Sequence, residues 1–404
     1  MTQSHAPLSA RVLSTETWGD RIQWMAGLVV ASFVAVLLLP SQSAASYPSY
    51  LLALLMLCTF GSWRDIFSVS LLRWIVLLLS WLSISVFWSD TFELREAVSV
   101  WIRVMLVSLF IVAVAECQFR GQLQRWMMHA LTLVGAAAAL SALLNFLLTQ
   151  PADGRLNGMG QLDTHVIAAL IYGVALLFVL RYITQSQHGW RRIGAAVVAL
   201  TIVVCIYLSD SRNAWVSVSL GVMAFVLAHV VRDARQFIAA LVAGGLLLAV
   251  LLLLGITSEP LRDLILPRGD SFRLEVWGQT LERLQGHMLF GRGILSSDDV
   301  VVAGYIMQHA HSMYLSVLSK GGLVALLFYI VILVQTVSVL ISNYQNGDAK
   351  LALSILVVAL FAHLLDGHEL VDKIGSSWFL IWLPVAVAVG LSWSKPRDLL
   401  QDAG

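Results

Sequence analysis

Of the chain's 404 residues, 59% are hydrophobic and only 12% charged, against about 25% charged in soluble domains. That composition excludes a soluble globular protein. A formal net charge of +1, with aromatics confined to apolar runs, excludes the basic surface of a nucleic-acid binder.

Apolar runs of about 17–25 residues mark spanning helices. Twelve are predicted: near 22–40, 48–61, 69–88, 98–116, 127–149, 162–181, 193–208, 213–231, 236–256, 310–341, 350–367 and 375–393. The first follows a tail with Arg11 and Arg21 and precedes SQSAAS, a pattern shared with cleaved leaders. It is read as a retained span, which keeps the charge topology consistent. Cys58, Cys117 and Cys205 lie in or beside apolar runs, so they read as membrane packing and not as a disulfide framework. No repeat or linker divides the chain. The predicted fold is an all-α polytopic membrane protein, one integral domain over residues 1–404.

Lys and Arg gather in short cytoplasmic loops. With a cytoplasmic N-terminus every inner segment holds at least one, from Arg11 and Arg21 through Arg191 and Arg192 to Lys395. Outer connections such as SQSAASYP and SDTFELRE are neutral, acidic or thinly basic. Both termini are therefore expected in the cytoplasm, and the long hydrophilic stretch of about 257–309 on the outer face. Arg155, Arg212, Asp366 and His368 fall on that face too. The outer arginines run against the charge rule, and an anionic ligand is the simplest explanation for them.

The hairpin LSDSRNAW holds Arg212 at the membrane surface, where a charge is costly and usually partnered. Arg212 either snorkels to headgroups, pairs with Asp210, or grips phosphate oxygens in the bidentate geometry that Lys lacks. In the outer stretch, Ser271–Met288 carries an apolar stripe of Trp277, Leu281, Leu284 and Met288. It reads as an amphipathic helix lying on the membrane, capped by Asp270 or Ser271. Arg273 stands one turn before Trp277, free to rest on the indole or to address a ligand, and Arg268 in PRGD is a further candidate.

His309 and His311 do not share a helical face, and no HExxH or cysteine pair adds ligands, so no metal is expected. His311 is read as the first residue of the tenth span, where the positive helix end keeps the imidazole neutral and able to accept a proton. Eleven residues on, Gly322 returns to nearly the same face and lets a neighbouring helix approach. Lys320, on the opposite side, reads as structural or paired.

These residues resemble a family. HSMYLSVLSKGGLVA is similar to the His-(Asn/Ser/Gln)-x9-Gly signature of bacterial O-antigen ligases, SDSRNAW to their Ser-Arg hairpin, and FRLEVWGQTLERLQGHMLFGRG to their Arg-x3-Trp segment with its Phe-Gly-x-Gly turn. Ala325 departs from the Gly, Thr or Tyr usual three residues after the signature glycine. The resemblance implies a bacterial inner-membrane glycosyltransferase, with no cofactor or metal. It would move O-antigen from undecaprenyl diphosphate to a sugar hydroxyl of lipid A core at the periplasmic face. Under it, His311 is the catalytic base, Arg212 and Arg273 clamp the diphosphate, Arg268, Arg155 and Trp277 serve substrate binding, and Asp366 and His368 either orient His311 or bind acceptor sugars. Alternatives are an O-antigen polymerase or other lipid-linked oligosaccharide transferase, which shares the donor, and an anion transporter. The transporter would prefer ionisable groups near the bilayer midplane, whereas the charges here gather at the outer boundary.

Overall fold

The structure is a computed structural model and describes residues 27–32, 34, 35, 50, 51, 54, 55, 66–121, 123–257, 272–367 and 369–393. In chain order the helices are α1 (Ser70–Ile84, continued by a 3-10 turn Ser85–Trp88), α2 (Leu94–Phe119), α3 (Leu123–Thr149), α4 (His165–Gln185), α5 (Gly189–Leu208) and α6 (Arg212–Val230). Then come α7 (Ala234–Thr257), α8 (Arg273–Arg283), α9 (Met313–Ser342), α10 (Gly347–Leu365) and α11 (Leu383–Ser392), the last preceded by a π-helical turn, Trp378–Trp382. Eight segments among the described residues are long and apolar enough to span a membrane, namely α1 with its 3-10 turn, α2 to α6, α9 and α10.

The predicted spans from 69–88 onward appear as helices with ends close to those expected, while 22–40 and 48–61 lie mostly outside the described residues. Two differences have local causes. The last predicted span is interrupted by the π turn, whose Trp378 and Trp382 are fully buried. Their indoles donate to the carbonyls of Asp372 (3.1 Å) and Leu370 (2.9 Å), fixing the loop that follows α10. The hydrophilic stretch also contains an unpredicted hairpin, β1 (Val300–Val302) antiparallel to β2 (Tyr305–Met307), with Val302 opposite Tyr305. Ala303 and Gly304 both have positive φ, the pattern of a type I′ turn.

Polar residues start the spans. Thr164 and Ser211 accept from the amides of Ile167 and Ala214, capping α4 and α6. The spans pack through small residues, since lipid offers no hydrophobic drive between helices. Gly221 of α6 lies so close to Val358 and the Ser354 carbonyl of α10 that a Cβ would overlap them. The first turn of α6 is tied to the last turn of α10 by Asn213, whose side chain donates to the Ala362 carbonyl at 3.1 Å.

The expectation for Gly322 needs correcting. Helix α1 does approach, at Gly321, but what meets Gly322 itself is a turn, because α9 breaks there, with Gly322 at φ 69°, ψ −168°, a region essentially closed to other residues. The turn around Gly291 enters the break. Arg292 and Gly293 donate to the carbonyls of Ser319 (2.8 Å) and Lys320 (3.0 Å), and the amides of Leu323 (2.9 Å) and Val324 (3.3 Å) donate to Met288 and Leu289. Trp81 Nε1 of α1 takes the Gly321 carbonyl at 2.8 Å. The same turn is held to the top of α1 by the amides of Ile294 and Leu295, which donate to Ser85 Oγ and Ser89 Oγ, each at 3.1 Å. The buried Ala325 follows from this crowding, because its Cβ already lies where a side chain on Gly321 would point.

Gly322→Ala is expected to add a backbone cost of about 1–3 kcal/mol to an overlap with the Leu289 carbonyl, and to lose most folded protein. Gly278→Ala, in open space on α8, is expected to be neutral or stabilising by about 0.5–1 kcal/mol. Size-exclusion profiles and thermal midpoints of the two purified variants check the contrast.

Candidate active site

Two segments from distant parts of the sequence, one before and one after it, meet the loop that carries His311. Helix α8 is the one before it. Its Val276 is buried against Val300 and Val302 of the hairpin. Its Trp277 Nε1 donates to the Ala310 carbonyl at 2.9 Å, and its Arg273 Nε donates to the Leu365 carbonyl at 3.2 Å. One face of an eleven-residue helix thus pins the histidine loop and the end of α10 together.

The predicted amphipathic helix exists but differs in detail. It ends at Arg283, with Phe272 in left-handed conformation at its N-cap and no side-chain cap. Its buried residues are Val276 and Thr280, with Leu284 just beyond, whereas Leu281 and Met288 are exposed. The helix buries its face against protein because β1 offers apolar valines there. Arg268, Asp270, Ser271 and His368 lie outside the described residues.

His311 is not the first residue of α9. It precedes the N-cap Ser312 and adopts left-handed backbone at φ 49°. Its amide donates to His309 Nδ1 at 3.3 Å, and the two rings stand 4.1 Å apart. Its Nδ1 faces Asp366 Oδ1 at 3.6 Å, both groups half-buried. Asp366 follows the last residue of α10, and its side chain also accepts the Gly367 amide at 2.8 Å. Burial alone would raise the Asp366 carboxyl, but attraction to His311 and the Gly367 amide outweigh it and hold its pKa below the usual carboxylate range. An ionised carboxylate at Nδ1 favours the tautomer with the proton on that nitrogen, leaving Nε2 as the acceptor.

The arginines lie on the α6 side. Arg212 is the first helical residue of α6, partly buried, one position before the Asn213 that binds Ala362. Arg155 is engaged at both guanidinium ends, with Asp210 Oδ2 at 3.3 Å and His165 Nε2 at 3.4 Å. Asp366 is near enough to His165 to act on it electrostatically. Lys320 is paired as expected, with Asp298 at 3.1 Å, and its ammonium also donates to the Ser296 carbonyl.

The reason given above for expecting no metal does not hold by itself, because the two histidines sit on a turn and not a helix. With Asp366 they present one ligand atom each within 4.8 Å of one another. Such a group could hold a metal ion. His309 Nδ1 is already used by the His311 amide. Of the two roles expected for Asp366, its place beside His311 Nδ1 fits orientation of the imidazole; what the sequence did not signal is His309, whose Nδ1 accepts the His311 amide.

Residues 196–330 match the family described as O-antigen ligase. Over 244 residues the chain is 30% identical to the O-antigen ligase of Pseudomonas aeruginosa strain PAO1, covering 60% of this chain and 58% of that protein. The match therefore spans a little over half the length of that relative.

The depressed Asp366 pKa sets a pH window. A carboxylate held below its unfolded value stabilises the fold at pH above that value, and the contribution is lost as pH falls through the lower folded value. The thermal midpoint of wild type is expected to exceed that of Asp366→Asn at about pH 5. As pH falls from there, the margin should shrink only below the ordinary value of 3.8. A margin that vanishes already near pH 6 would contradict the assignment.

Proposed function

We propose, from the match of residues 196–330 to the O-antigen ligase family, that the chain transfers O-antigen from undecaprenyl diphosphate to a sugar hydroxyl of lipid A core. The site then faces the periplasm from the bacterial inner membrane, with both termini cytoplasmic. The observation that carries this reading is the His311–Asp366 pair beside the end of α10, to which Arg273 is bound.

His311 Nε2 takes the proton of the acceptor hydroxyl as its oxygen attacks the anomeric carbon. The bond from that carbon to the diphosphate oxygen breaks, and its electron pair leaves with undecaprenyl diphosphate. Asp366 keeps the imidazole in the accepting tautomer and balances the imidazolium that forms. Arg212 and Arg273 neutralise the charge developing on the diphosphate, with Arg268 as a further cation from the outer stretch. Arg155, tied to Asp210 and His165, supports the turn that carries Arg212. Trp277 holds Ala310, and so His311, in place, and His368 lies two positions after Asp366 in sequence. A single displacement of this kind inverts the anomeric carbon.

His311→Ala is expected to lower the rate by about 10²–10⁴-fold, and Arg212→Lys by about tenfold or more through loss of bidentate contact. The check is the lipopolysaccharide banding of a deletion strain complemented with each variant, alongside membrane levels of the protein. Wild type should restore the long-chain ladder, and His311→Ala should leave bare core with accumulated lipid-linked O-antigen. Core capped by a single repeat in the deletion strain would make the protein a polymerase, and full activity in Arg212→Lys would remove the clamp.

A further inference from the structure

A cavity of about 310 Å³ opens beside the His309–His311 pair, on the α1–α2 side of α9. It is separate from the α6 side, where Arg155 and Arg212 lie. Six charged residues line it: Glu96 and Arg103 from α2, Asp298 and Asp299 from the loop before β1, Lys320 from α9, and Glu369 after α10. Four carboxylates thus face two cations. Both cations are engaged, Arg103 with Glu369 at 3.4 Å and Lys320 with Asp298 at 3.1 Å. Glu96 and Asp299 have no cation paired with them among the lining residues and are exposed, while Arg283, outside the lining, donates to the Asp299 backbone carbonyl. Leu82, Val100 and Leu295 supply apolar wall between these groups, and His309, whose ring stands 4.1 Å from that of His311, also lines it.

This lining can be read as a ligand specification. The volume is at the small end of ligand cavities, about 300–1,000 Å³, which suits one or two sugar rings and not a polymer. Carboxylates accept from sugar hydroxyls, and aliphatic side chains cover the C–H face of a ring. The surplus negative charge repels a diphosphate and any phosphorylated or acidic sugar. A hydroxyl presented beside His309 is next to the imidazole that accepts its proton.

We infer that this cavity is the acceptor subsite, and that it takes a neutral or amino-bearing terminal sugar while rejecting a phosphorylated one. The inference rests on the ligase reading. The two histidines then divide the site, with the anionic leaving group toward the arginines and the uncharged nucleophile toward the carboxylates.

The test begins with a readout that needs no ligase activity. Ser297, exposed on the cavity wall, is changed to Cys in a Cys58→Ser background; Cys117 and Cys205 are buried. Maleimide labelling of the purified protein is timed in the presence of glucose, glucosamine or glucose 6-phosphate. Glucose and glucosamine are expected to slow labelling severalfold, and glucose 6-phosphate to leave it unchanged. Equal protection by glucose 6-phosphate, or protection by none of the three, overturns the inference. The second arm is kinetic. Glu96→Gln and Asp299→Asn should each raise the acceptor KM by about tenfold, the worth of a hydrogen bond to a charged group, with the donor KM unchanged. Unchanged acceptor KM in both variants also overturns it. Lipopolysaccharide that never depends on the protein would sink the ligase reading instead, and sugar protection of Ser297→Cys would still be measurable.

Discussion

The interaction on which most of the structure depends is the repair of a broken helix. Inside a bilayer no water satisfies a free amide or carbonyl, so an interrupted span survives only where protein fills the gap. Helix α9 is interrupted at Gly322, and the turn around Gly291 supplies the missing partners above and below the break. That turn follows α8 and leads to the hairpin, and it is also bonded to the top of α1. Anchoring it therefore anchors the hydrophilic stretch. α8 in turn carries Trp277 to Ala310 and Arg273 to Leu365. The position of His311 is set by a chain of backbone hydrogen bonds that starts within the membrane.

Backbone strain gathers around the same place. Asp210, Phe272 and His311 are three of the five described non-glycine residues with positive φ. One lies two positions before Arg212, one directly before Arg273, and the third is the histidine itself. Such conformations cost of order 1–3 kcal/mol each and persist only where the surroundings enforce them. Here the enforcement is visible for each: the Ser211 cap of α6, the Val276 contact of α8, and the His309 bond to the His311 amide. The three residues turn the chain so that side chains from separate elements face one another.

Much of this was legible in the residues. Apolar run length located the spans, because bilayer thickness admits few alternatives. Charge asymmetry singled out Arg155, Arg212 and the outer stretch, and short motifs singled out His311 and Arg273. What could not be read depends on contacts between distant segments. Leu281 and Met288 looked like the buried stripe of α8, and which face is buried was decided by Val300 and Val302, which lie elsewhere in the chain. VVVAGYIM carried a hairpin signal, a β-branched run with Gly at the second turn position, but it was overshadowed by the polar composition around it. The acidic cavity combines α2, α9 and two loops, and no single stretch of sequence announces it.

A helix broken within a membrane has a second N-terminus, and such half-helix ends often point their free amides at an anion. Here that end is closed. The amides of Leu323 and Val324 are already given to the carbonyls of Met288 and Leu289, so the break provides mechanical fixation and no anion hole. In the proposed reaction, positive charge for the diphosphate then comes from guanidinium groups on long side chains. Unlike backbone dipoles, these can follow a leaving group as it departs and then release it.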